Sequence, residues 1–406
     1  MTALAAADAG VDIGVAARRR VLATLCFTQL TGWGVLFYGF PVLQGSIAAD
    51  TGWSPTTVSG AFTLGQVVAA IAGVAVGRLL DRRGPWLPMT VGSGTAVLAV
   101  LLVASAGHVV WFALGWLLAG AAMAAVLYAP AFAAITGWFH GRDRIRALTV
   151  LTVAGGLAST VFGPLTATLH AHLSWRSTYV VLAGVLLTTV PAHAVGLRAP
   201  WQLRPDGAGR AGAEVRAVVR SRAFAALGLA LALTAMCSTA VIVSTVPMLR
   251  EHGMSLDTAS LMLGLGGPGQ VAGRLCFAPL AARIGPVGQT VGVLAVLAVT
   301  TALLAAAEAV AVLVGAVLAA GAARGALTLV KALAVSDRWG PAHYARLSGV
   351  LALPVVLAAA AAPWASAWLA SYAGSYGAAF LVLAGINLLA VGLAALTSPT
   401  RPISTP

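Results

Sequence analysis

"GRLLDRRGPW" (residues 77–86) sits between two long apolar runs, and its reading decides the fold. It carries three arginines and one aspartate in a chain of which only 9% of residues are charged. A knot of charge between two apolar runs is best explained as a connection left in water while the runs lie in lipid. The rest of the composition agrees. The 406 residues are 60% hydrophobic, with a mean hydropathy of +0.94. A soluble protein has about 25% charged residues, and no globular surface of this size can be built from so few. The apolar runs are continuous and do not alternate with period two, which favours helices over a barrel. The expected class is an all-α integral membrane protein.

The formal net charge is +13. The arginines fall between apolar runs and form no basic domain, so the charge reads as a topology signal and not as nucleic-acid binding. Cys26, Cys237 and Cys276 lie inside apolar segments at no metal-binding spacing, as small core residues. The first apolar run follows "ARRR" and is too long for a cleavable leader, so it is expected to stay as a spanning helix.

Spanning a bilayer takes about 20 apolar residues per helix. Breaks at charge, Gly/Pro and Trp clusters give twelve spans: 20–47, 55–80, 86–107, 109–138, 147–173, 176–197, 223–249, 257–282, 286–307, 309–335, 342–371 and 375–397. With a cytoplasmic N-terminus, nineteen of the twenty-four Lys and Arg fall on the cytoplasmic side, against Arg176 and Arg250 on the other. That bias predicts a multi-pass protein of the cytoplasmic (inner) membrane with both termini cytoplasmic. The expected organisation is a disordered tail over 1–17, a six-helix bundle over 18–197, a cytoplasmic linker over 198–222, a second six-helix bundle over 223–397 and a tail over 398–406.

The halves echo each other. Gly84-Pro85 after the second span recurs as Gly285-Pro286 after the eighth. "RIRALTV" (144–150) opens the fifth span as "HYARLSGV" (343–350) opens the eleventh, and Pro164 is matched by Pro363. One shared offset of about 200 residues points to duplication.

Gly77, Asp81, Arg82, Arg83 and Gly84 resemble the signature loop of the major facilitator superfamily, between spans two and three. The resemblance covers about residues 18–397. It implies the major facilitator fold, twelve transmembrane helices in two six-helix bundles, and secondary transport by alternating access. In that family the loop latches the cytoplasmic faces together in the outward-open state, which makes Gly77, Asp81, Arg82 and Gly84 the latch. The physical logic agrees: Gly77 permits close helix approach, Asp81 accepts hydrogen bonds at a neighbouring helix end, and the arginines hold an anionic leaflet. The second copy, "LAARIGP" (280–286), has Ala282 in place of Asp81, so the latch is expected to be asymmetric. "GGLASTVFGP" (155–164) is loosely similar to an antiporter glycine motif and reads as packing and hinge.

Ionisable groups inside a membrane are costly, so each is a functional candidate. Three stand out: Arg274 in span eight, about 13 Å deep at 1.5 Å per residue, and Arg324 and Lys331 in span ten. Lys331 is shallow enough to snorkel. No Asp or Glu lies in the interior of a span, so a substrate carboxylate is the expected partner of Arg274 and Arg324. "GQVAGRLCFAPLAARIGP" (269–286) and "TQLTGWGVLFYGFPVL" (28–43) resemble the monocarboxylate-porter and oxalate–formate antiporter branch, where an arginine at the place of Arg274 binds the carboxylate. Gln270 stands where proton-coupled members carry Asp, and span one lacks their lysine. Gln29, Trp33, Tyr128 and Ser238 complete the expected substrate site, with Thr234 and Thr245 on the same face of span seven as Ser238.

The expected function is a monomeric transporter of a small organic solute, an organic anion such as a monocarboxylate, coupled to a proton or exchanged for another anion. An exporter of hydrophobic drug-like compounds and a transporter-like sensor are the competing readings. No HExxH, CxxC, GxSxG or phosphate-loop pattern occurs, so no enzyme activity, metal, cofactor or ATP is expected.

Overall fold

The computed structural model describes residues 13–139, 141–201, 212–281, 283–339 and 344–397. Most of the expected N-terminal tail, the middle of the linker, Ala282 and the tail from 398 lie outside the described residues. Eleven helices among the described residues are long and apolar enough to cross a membrane. They are Val15–Thr51, Pro55–Leu80, Trp86–Ala104, Val109–Trp138, Arg146–His172, Trp175–Gly196, Arg222–Glu251, Pro286–Ala306, Val310–Leu333, Leu347–Ala373 and Tyr376–Ala395. Span eight is the helix Leu256–Ala281, 26 residues long, in which Gly266, Gly267, Pro268, Gln270 and Arg274 dilute the apolar run. The helix of span one begins at Val15, within the stretch expected as a tail. A further short helix, Gly212–Val219, occupies part of the expected linker.

The chain divides into two compact units, Met1–Asp206 and Gly207–Pro406. In the first, span two packs on four, three on four and six, and one on five. In the second, eight packs on ten, seven on eleven and nine on twelve. Both units use glycine at the tightest crossing. A Cβ on Gly120 of span four would overlap the Gly65 carbonyl of span two. About 200 residues on, a Cβ on Gly321 would meet the Gly266 carbonyl at 2.5 Å, and one on Gly273 would overlap the Ala322 carbonyl. The cores repeat too. Trp138, Ala147 and Leu151 are buried in one, and Trp339, Leu347 and Leu351 in the other, again about 200 residues later.

The units differ in helix continuity. Span one passes through a π-helical turn, Gly34–Tyr38, where the Gly39 N–H reaches back to the Gly34 carbonyl. Span four is interrupted at Leu127, with φ −83° and ψ −156°, and span six at Thr188. Tyr38, Leu127 and Thr188 each stand three residues before a proline: Pro41, Pro130 and Pro191. A proline cannot donate to the carbonyl four residues back, and its ring crowds that carbonyl. Span five breaks at Leu157, after Gly155-Gly156. In the second unit Pro247, Pro354 and Pro363 are carried inside unbroken helices.

Two sequence expectations need correction. Cys237 is buried, but Cys276 is exposed and belongs to no core; its position in an apolar run says nothing about which face it takes. The motif around Asp81 is helix, not loop. The helix runs from Pro55 to Arg83, because no breaker occurs before Gly84 and the basic pair in its last turn suits the helix dipole.

Candidate functional site

In the second unit spans seven to ten line a small, partly open hollow of about 10 Å³, walled by Val241, Ile242, Thr245, Leu263, Leu304, Val317, Ala320 and Arg324. Arg324 is the one charged group among those residues. Glycine makes its position feasible: a Cβ on Gly266 of span eight would lie 2.8 Å from Arg324 Nη2. Thr245 directs its hydroxyl to the Val241 carbonyl at 2.6 Å, so it lines the cavity with its proton already committed.

Arg274 is placed differently. It is 9% exposed and lies eight residues after Gly266, about 12 Å along the helix, where Gly273 seats against Ala322. It is not among the described residues lining the cavity. Ser238 is half-buried, one turn from Val241 and Ile242, and is likewise not among them. Thr234 is fully buried with no hydrogen-bond partner for its Oγ1. Lys331 is half-buried near the end of span ten.

In the first unit Gln29, Trp33 and Tyr128 come together, and the break in span four explains why. Pro130 leaves the Val126 carbonyl without its helical donor, and Gln29 Nε2 donates to that oxygen at 2.6 Å. The Gln29 amide nitrogen is thus engaged in holding the fold. Its Oε1 is buried without a partner, as is Trp33 Nε1. The Trp33 ring lies 5.0 Å from that of Tyr128, which stacks on Phe132 at 5.1 Å. Tyr128 OH donates to the Thr152 carbonyl at 3.5 Å, and Gly155 leaves room for that hydroxyl.

The expected latch residues lie at the end of span two. A Cβ on Gly77 would meet nothing within 4 Å, so the close helix approach expected there is absent among the described residues. Asp81 lies in the last helical turn, and its side chain is outside the described set. Arg82 is exposed. Gly84 has φ +72°, the left-handed region that glycine enters freely, and the Trp201 ring leaves no room for a side chain there: a Cβ would lie 2.8 Å from Trp201 Cγ. Trp201 also covers Gly137 and meets Trp138 edge-on at 5.4 Å, while Trp138 Nε1 donates to the Pro200 carbonyl at 2.8 Å.

Sequence reasoning missed Trp201 and His193. The former sits in "RAPW", which reads as the start of a polar linker. His193 is an ionisable group buried inside span six, in "PAHAVG", and the rule applied to Arg274 would have found it.

The model of the Major Facilitator Superfamily matches residues 22–307 and 227–406. The chain belongs to the Major Facilitator Superfamily. It is therefore a multi-pass secondary transporter working by alternating access, and not an enzyme. Solved structures share the superfamily's fold with this member. A bacterial homolog of the human lysosomal transporter Spinster, inward-facing and unoccupied, superposes with a TM-score of 0.75 at 16% identity, over 95% of this chain and 98% of that one. The nucleoside transporter NupG gives 0.75 at 12% identity, over 94% and 98%. The human organic anion transporter MFSD10 (TETRAN) gives 0.66 at 18% identity, over 93% and 99%. No curated protein sequence matches the chain.

Proposed function

We propose that this superfamily member moves a small organic anion, such as a monocarboxylate, across the cytoplasmic membrane, with both termini cytoplasmic. One observation carries the reading: Arg324 is the charged group among the described residues of a small, mostly aliphatic hollow in the second unit. A guanidinium grips a carboxylate through two parallel bonds. Arg274, 9% exposed on span eight, is not among the described residues of that lining. The signature helix end, with Asp81, Arg82 and Gly84, biases the conformational equilibrium and does not touch the solute. The coupling partner is a proton or a counter-transported anion.

The same apolar lining favours a second reading, export of hydrophobic drug-like compounds with Arg324 structural. Proteoliposome flux separates the two. Labelled monocarboxylates should be carried by the wild type and lost in both Arg324→Ala and Arg324→Lys, since lysine lacks the planar fork. Flux of a drug panel that survives Arg324→Ala, with no monocarboxylate flux in the wild type, would promote the exporter.

A further inference from the structure

Three helices of the first unit meet at one end around the Trp86 ring. Span six ends at Gly196, which leaves the Ala194 carbonyl without a helical donor. Trp86 Nε1 of span three donates to that oxygen at 2.8 Å. The Arg198 guanidinium, two residues past the helix, lies over the Trp86 ring at 5.6 Å from its centre, within cation–π range. Arg20 of span one donates from Nη2 to the Arg198 carbonyl at 2.9 Å. Arginines from two ends of the chain's first unit are thereby held beside one indole.

Neither cation is neutralised by a described carboxylate. The ion pairs among the described residues join Arg18 and Arg146 to Asp143 and Arg176 to Asp50, and neither Arg20 nor Arg198 enters one. Both side chains are exposed. Arg20 gives one nitrogen to a carbonyl, and the indole takes only the face of Arg198. A guanidinium has five N–H donors, so among the described residues most of these donors have no acceptor.

The wall beneath them is aliphatic. Spans three and six pack side by side. Val91 and Val195 are exposed near this end, and Leu98 and Leu187 are exposed about 10–12 Å further along the two helices. In a spanning protein such a surface meets acyl chains, and an indole at its top marks the interface. The second copy of the repeat lacks the group: at the offset that carries Gly84 onto Gly285, Trp86 falls on Val287 and Arg198 on Pro399. Packing of a six-helix bundle therefore does not require it.

We propose that Arg20, Arg198 and Trp86 bind the phosphodiester headgroup of an anionic phospholipid, whose acyl chains lie along the exposed wall of spans three and six. The phosphate accepts charge-assisted hydrogen bonds from both guanidiniums and supplies the negative charge that the described residues leave out. The indole sets the depth of the headgroup at the interface. A single bound lipid thereby clamps the ends of spans one, three and six. The proposal rests on the chain's crossing a bilayer and not on the solute it carries.

The test is native mass spectrometry of the full-length protein in detergent, titrated with phosphatidylglycerol or with phosphatidylcholine of the same acyl chains. The wild type should bind phosphatidylglycerol roughly tenfold more tightly than phosphatidylcholine. Arg20→Gln combined with Arg198→Gln should weaken phosphatidylglycerol binding roughly ten- to a hundredfold, through lost charge-assisted hydrogen bonds. Arg198→Gln alone should weaken it several-fold. That variant alters one exposed side chain and keeps the carbonyl that Arg20 holds, so it decides the matter if the double variant does not fold. Arg216→Gln removes an exposed charge elsewhere and should change binding by no more than about twofold. An equal loss in Arg216→Gln would show diffuse attraction, and equal binding of the two lipids would show no recognition of charge; either overturns the proposal. So does competition by inorganic phosphate at the lipid's own concentration, which would make this a site for free anions.

Discussion

The first unit breaks its helices and repairs the breaks with side chains, whereas the second keeps its helices whole and places charge at their glycine contact. Spans one, four, five and six are each interrupted, and the freed groups find partners such as Gln29 on the Val126 carbonyl. Spans seven, eight, ten and eleven run without interruption, and Arg324 enters the space that Gly266 leaves open. Both units nevertheless share the glycine crossing of the second helix on the fourth. A duplicated fold can therefore diverge in how each half meets its ligand while the packing that defines the bundle stays fixed. In lipid, close contact between small residues drives association, so that contact has the least freedom to change.

The shared part can be broken first. Gly120→Leu and Gly273→Leu should each cost more than about 3 kcal/mol, because the opposing atom is a backbone carbonyl that cannot move aside. Both variants should be lost from the monodisperse fraction in detergent size-exclusion chromatography. If one half tolerates its leucine, the two crossings are not equivalent.

The charged half comes next. Arg324→Ala should weaken anion binding roughly ten- to a hundredfold, the loss of one good charge-assisted contact. Arg274→Ala should lower the melting temperature yet leave affinity within about threefold. Isothermal titration with a monocarboxylate, beside thermal melts of each variant, distinguishes them. Reversed roles would return the site to Arg274.

The repaired half gives a smaller effect. Gln29→Leu leaves the Val126 carbonyl buried without a donor and should cost about 1–2 kcal/mol, read as a melting-point drop of a few degrees. Adding Pro130→Ala restores a backbone N–H four residues on and should recover most of that loss. A double variant no better than the single would show that the break in span four has another cause. Smallest in affinity is Asp81→Asn, which should leave anion binding within a few-fold while slowing transport, because a latch shifts conformational populations without contacting the solute. Wild-type flux in that variant would remove Asp81 from the mechanism.

Much of this molecule was legible from the chain. The continuous apolar runs located the spans closely, and charged or Gly/Pro punctuation marked their ends, because lipid demands both length and internal hydrogen bonding. The pairing of Gln29, Trp33 and Tyr128 was also readable in outline. The role of Gln29 was not, since it depends on which carbonyl a distant proline sets free. His193 was within reach of the rule that picked out the arginines. Trp201 was not, because a tryptophan in a polar stretch carries no sign that it folds back over Gly84 and Gly137.

Sequence by itself determined the class, the span positions and the twofold repeat, since each follows from local composition and one-dimensional spacing. Tertiary structure decided which arginine reaches the hollow, which glycines carry the crossings and which arginines meet at Trp86. Those outcomes depend on the face each residue takes when helices hundreds of residues apart are packed together. The apolar run around Arg274 and the one around Arg324 look alike in the chain. Only the register between spans eight and ten puts one guanidinium at the hollow and leaves the other, 9% exposed, outside its described lining.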